Sequence, residues 1–136
     1  MWKGSVCMDF IYIQTNKDII YFLDKTNALH DGYIISVQYT NKGIRKVEKG
    51  HYFSPELTKL TLQILVTSIS DTIVEIEFEN LIEWQVKSDF SDIFETSIAF
   101  DDKGLILWSD DIFVDKNDMK RSSYVIAGSM KWRFVE

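Results

Sequence analysis

A chain of 136 residues with 46% hydrophobic and 14% aromatic side chains is large enough to bury one core unaided and too apolar to stay disordered. Its single cysteine, Cys7, excludes an internal disulfide and points to a reducing, cytoplasmic setting, and no window approaches the ~18 uninterrupted apolar residues of a membrane span. The net charge of −6 is uneven: residues 1–68 carry eight Lys/Arg against six Asp/Glu (+2) and residues 69–136 carry seven against fifteen (−8), which disfavours nucleic acid as a partner.

In chain order, the N-terminal segment makes a poor signal peptide, because Asp9 breaks its apolar stretch and no small-residue cleavage site follows. Residues 6–14 read as a strand with Val6, Met8, Phe10 and Tyr12 on one face. The period then changes. Asn16 is the expected N-cap of a helix, with Asp18 in its first turn and Ile19, Ile20, Leu23 and Asn27 on one side, Phe22 beside them. That helix should end near Asn27, since Gly32 and the β-branched run beyond favour extended chain.

From Gly32 onward the period is two almost throughout. Tyr33, Ile35, Val37 and Tyr39 alternate against Ile34, Ser36, Gln38 and Thr40, and Leu60, Leu62, Ile64 and Val66 against Thr61, Gln63, Leu65 and Thr67. Val74, Ile76 and Phe78 face away from Glu75, Glu77 and Glu79, the cleanest half-buried strand in the chain. Asn80 would fall on the apolar face, so a bend or bulge is expected there before the parity resumes at Ile82, Trp84 and Val86. Phe94, Thr96, Ile98 and Phe100 lead into a hairpin turn at Gly104, from which residues 105–110 return. The last strand, 123–135, sets Tyr124, Ile126, Met130, Trp132 and Phe134 on one face. One domain over 1–136 follows: mainly β (α+β), an antiparallel β-sandwich or strongly curved sheet of about seven strands with one N-terminal helix.

Enzyme chemistry finds little footing. His30 and His51 are the available bases, no Gly-x-Ser-x-Gly occurs, and Cys7 lies inside an expected strand, so no catalytic residue is assigned. The run from Asp110 to Lys120 resembles a calcium loop only superficially. With Asp115 in first place, Met119, Lys120 and Ile126 occupy positions that a calcium loop reserves for a ligand, glycine and glutamate. A looser acidic cluster of Asp110, Asp111, Asp115 and Asp118 reads as a solvated loop, and neither metal nor cofactor is expected. The basic, aromatic stretch 41–53 reads as a long hairpin whose lysines protect an exposed edge.

The nearest approach to a motif is Leu29-His30-Asp31-Gly32. Its structural reading has Leu29 anchoring the helix end, Asp31 making an Asx-type turn, Gly32 opening the strand and His30 bridging helix and sheet. Its functional reading makes His30 and Asp31 the lip of a small-molecule or hydrolytic pocket.

A short helix, then Leu-His-Asp, then a β-rich body ending in the Trp132 strand, resembles small uncharacterised bacterial domains with a Leu/Phe-His-Asp joint. Some similar ones are classed as immunity proteins of polymorphic toxin systems. That resemblance implies the fold and supplies no catalytic residues to carry over. The charge asymmetry and the lack of a complete catalytic set point to a non-enzymatic binding protein, a cytosolic inhibitor whose acidic surface meets a basic protein, with Trp108, Asp110, Asp111 and Asp115 as contacts. A third reading is a domain that self-associates through an exposed strand edge.

Overall fold

The computed structural model describes residues 9–46, 48, 50–87 and 91–135. It is built on one antiparallel sheet of seven strands: β1 (Ile11–Tyr12), β2 (Gly32–Asn41), β5 (Thr58–Val66), β6 (Thr72–Gln85), β7 (Ser97–Phe100), β8 (Ile106–Ser109) and β9 (Tyr124–Val135). The strands run β2-β5-β6-β9-β8-β7, with β1 also on β9, and the hairpin β3 (Ile44–Lys46)–β4 (Gly50–Tyr52) stands apart. Helix α1 (Asn16–Lys25) packs on the sheet, and the short α2 (Lys116–Met119) lies between β8 and β9.

The helix begins one residue before the expected position. Thr15 caps it, accepting from the Asp18 N–H while the Asp18 carboxylate accepts from the Thr15 N–H, a reciprocal capping box. Ile19 and Phe22 are buried, and the Phe22 ring meets Trp132 edge-on at 5.1 Å. Ile20, expected inside, faces out, because a ten-residue helix lying on a sheet buries only one narrow stripe.

The two longest strands, β6 and β9, bend together, and the bend decides the architecture. Asn80 takes the left-handed conformation (φ 57°), Gly128 lies against its side chain, and the register slips between Leu81 and Glu83. Beyond the bend the sheet folds over its own face: Phe78 meets Trp108 at 6.0 Å, and Tyr39 on β2 stacks on Trp84 at 5.7 Å. A bridge between Gly32 and Ile93 joins the β2 edge to the segment leading into β7. The expected choice between sandwich and curved sheet therefore resolves into a single folded-over sheet.

The bend also corrects the assigned faces. Leu81, not Ile82, continues the buried row of Val74, Ile76 and Phe78. On β9, Met130 and Trp132 enter the main core with Val125 and Ala127, whereas Tyr124 and Ile126 join a second cluster with Leu107 and Met119 under the β8–β9 connection. In β1 and just after it, Ile11 and Ile13 pack inward while Tyr12 faces out; Val6, Cys7 and Met8 lie outside the described residues. The bulge at Ile35 splits the alternating row Tyr33, Ile35, Val37 and Tyr39: Val37 and Tyr39 lie opposite the buried Leu62 and Leu60, and all four remain 41–50% exposed because β2 is the sheet edge.

On the outer face, the β6 glutamates meet cations from both neighbouring strands. Arg133 holds Glu75 at 2.7 Å, and Lys131 and Lys59 reach Glu77 at 2.8 and 3.4 Å. Gln63 donates to the other Glu75 oxygen. Of these cations only Lys59 comes from the first half, so the pairs leave nearly all of the second half's acidic excess in place. No helix among the described residues is long and apolar enough to cross a membrane.

Candidate functional site

The Leu-His-Asp joint is a knot of three chain segments. After α1, Asn27, Ala28 and Leu29 all take positive φ (54°, 52° and 55°), and Asp31 does so again at 58°. Four non-glycine residues in the left-handed region cost roughly 1–2 kcal/mol each, so tertiary bonds must hold them there. Those bonds are present. Ala28 C=O accepts from Thr96 N–H (2.9 Å), His30 C=O from the Ser68 hydroxyl (2.5 Å) and Asp31 C=O from the Thr67 hydroxyl (2.9 Å). Asp31 N–H donates to Ile93 C=O at 2.8 Å, and Ile93 N–H to Gly32 C=O at 2.7 Å. Leu29 is fully buried.

Gly32 is required by closeness, not by an unusual φ: a Cβ there would stand 2.6 Å from the Leu29 carbonyl oxygen. The left-handed residue of the joint is Asp31, and its carboxylate lies 3.6 Å from His30 Nε2 instead of capping a turn of its own. The His30 ring, with 42% of its side chain exposed, turns Nδ1 to Phe94 C=O at 2.7 Å and meets the Phe94 ring edge-on at 5.6 Å. His30 therefore ties the helix end to the segment leading into β7.

Phe94 connects this joint to a cleft of about 260 Å³ on the same side of the molecule, lined also by Lys87, Asp92, Asp110, Asp111 and Arg121. The period-two run Phe94, Thr96, Ile98 and Phe100 suggests a strand from Phe94 onward, but β7 starts only at Ser97 and Phe94 is 69% exposed. Lys87, Asp92 and Arg121 carried no signal in the sequence, since isolated charges in a polar chain look alike.

The predicted contact residues separate. Asp110 and Asp111 reach the cleft together. Asp110 also accepts from Ser123 N–H (3.1 Å), and Asp111 from Ile112 N–H (2.8 Å). Asp115 does not line the cleft; it caps α2 by accepting from Asp118 N–H at 2.8 Å, and Asp118 reaches back to Val114 N–H. Trp108 is a correction. Expected as an exposed anchor beside these acids, it is fully buried, because β8 is covered on both faces, by the main core at Ile106 and Trp108 and by the second cluster at Leu107. Among the described residues no group of three His, Cys, Asp or Glu side chains is placed to hold a metal ion.

Outside the cleft lining, the Tyr124 hydroxyl donates to Glu83, which Lys120 also meets at 3.3 Å. Burial, reinforced by that carboxylate, pushes the Tyr124 phenol up to about 12, and the same bond, with Lys120, holds Glu83 below the usual carboxylate range. Comparison with protein-family models, with curated proteins and with solved structures gives no match.

Proposed function

We propose that this chain is a non-enzymatic protein-binding domain that captures a basic partner at the cleft rim, with Phe94 as aromatic anchor in the cleft that Asp92 and Asp111 also line. The observation behind this reading is that Phe94 is both exposed and fixed. Its carbonyl is held by His30 and its ring abuts the imidazole, so the anchor loses little freedom on binding. The acidic second half of the sequence supplies the long-range attraction. His30 and Asp31 act here as positioning residues. Both imidazole nitrogens are turned to neighbours, Nδ1 to Phe94 and Nε2 to Asp31, which supports binding over a hydrolytic pocket at this lip. An immunity-type inhibitor of a cytoplasmic toxin is the role this reading fits.

Co-expression with the product of the neighbouring gene, followed by capture at rising salt, tests it. A basic protein retained at low salt, released at high salt and lost with both Phe94→Ala and Asp111→Asn is expected. Retention that ignores salt and both substitutions would remove the cleft rim from consideration.

A further inference from the structure

Strand β2 ends the sheet with its outer edge open. Beyond the Gly32–Ile93 bridge, no strand among the described residues pairs with it from Tyr33 to Asn41. Edge strands of this length are ordinarily protected by charge or proline, and Gly32–Asn41 contains neither. Tyr33, Ile35, Val37 and Tyr39 are instead large, apolar or aromatic, and exposed.

We infer that this edge pairs with the same edge of a second copy, antiparallel about a two-fold axis near Val37, so that the two sheets become one. Three features of the chain select a second copy as the occupant. The first is the backbone itself, whose unpaired edge accepts only another extended strand.

The second is length. The run is bounded at one end by Ile93, which occupies the edge beside Gly32, and at the other by the turn at Gly43 (φ 65°). An identical antiparallel strand fills the space between those stops and turns away where Ile93 begins. The bulge at Ile35 leaves the stretch 36–41 regular, and the axis falls inside it.

The third is charge. Neutral β2 meets itself without a repelling or unpaired charge. Antiparallel pairing also carries the hairpin that follows β2 in one copy, with Lys42 and Arg45, to the start of β2 in the other, where Asp31 and Glu95 flank the Gly32–Ile93 bridge. Two-fold symmetry repeats that complementary contact, and it gives the positive first half of the chain a use that the cleft does not.

Sedimentation and light scattering over a concentration series test the pairing. The expected result is a reversible species of 31.8 kDa, twice the 15.9 kDa chain, and Val37→Lys should weaken it at least tenfold. Lys42→Glu with Arg45→Glu should weaken it similarly, and adding Glu95→Lys should restore most of the loss. As a readout independent of those variants, Val37→Cys in a Cys7→Ser background should form a covalent dimer under mild air oxidation, whereas Ser70→Cys should not. Facing residues in antiparallel strands stand within disulfide reach. A 15.9 kDa species at all concentrations, a dimer indifferent to Val37→Lys, open-ended assemblies, or equal cross-linking at positions 37 and 70 would overturn the inference.

Discussion

Gly128 on β9 lies so close to Asn80 on β6 that a Cβ at position 128 would stand 2.6 Å from the Asn80 side-chain nitrogen and 2.9 Å from its Cβ. The two residues form one hinge: Asn80 supplies the left-handed backbone, and Gly128 supplies the space into which the amide folds. Gly128→Ala is expected to destabilise the fold by about 1–3 kcal/mol, the usual cost of forcing atoms into a filled site. Asn80→Gly in the same chain should recover most of it, since glycine tolerates φ 57° and removes the obstructing amide. Urea unfolding of the two single variants and the double variant checks the coupling; additive losses would separate the residues.

At the helix-to-strand joint, the backbone and the side chains can be tested apart. Asp31→Gly places a permissive residue at φ 58° and should leave the melting temperature unchanged or raise it, whereas Asp31→Val should cost about 1–2 kcal/mol. His30→Ala should cost about 1 kcal/mol through the lost bond to Phe94. Thermal melts compare the three, and an Asp31→Gly variant less stable than Asp31→Val would contradict this account of the joint.

The indole nitrogen of Trp108 is buried without a hydrogen-bond partner among the described residues. Removing that N–H therefore relieves a cost that burial imposes. Trp108→Phe should lose about 1 kcal/mol or less, while Trp108→Ala, which empties the space beside Phe78, should lose about 3–5 kcal/mol. Denaturant midpoints measure both. A phenylalanine variant as damaged as the alanine one would mean that the indole N–H is satisfied after all.

The Tyr124–Glu83 bond makes an alkaline prediction. A phenol raised from 10 to about 12 in the folded chain favours the protonated form, so its contribution is fully present below pH 10 and disappears as pH rises from 10 to about 12. Stability should therefore fall through that window, with one tyrosine forming tyrosinate later than its fellows in an absorbance titration. Glu83→Gln keeps a hydrogen-bond acceptor but removes the charge, and should narrow the window from above. On the acid side Glu83 has the opposite sign: its lowered folded value adds stability above the ordinary glutamate range and loses it as pH falls through that value.

The elements were largely legible in the sequence, and their faces less so. Period two marked β5 and the first half of β6 correctly, because both are central strands with one wet face and one dry one. The same period did not reveal that β2 is an edge strand, where Tyr33, Ile35, Val37 and Tyr39 stay 41–50% exposed although Val37 and Tyr39 lie opposite the buried Leu62 and Leu60. Of the residues lining the cleft, Asp110 and Asp111 stand out in the sequence as acids beside Trp108, and Phe94 does not. Its exposure depends on where β7 begins, which is set by contacts with His30 and Gly32 more than sixty residues away.

By itself, then, the sequence determined what local physics can encode: the strands, the helix with its early acid, the turn at Gly104, a break at Asn80 and an uneven charge. Only the tertiary structure decided which apolar rows meet, that the sheet folds over itself, that Trp108 is enclosed, and that the joint at His30 holds Phe94 outward. Periodicity reports that a side chain alternates between two environments, but which environment is dry depends on what packs there. That is settled by long-range pairs such as Asn80 with Gly128 and Gly32 with Ile93.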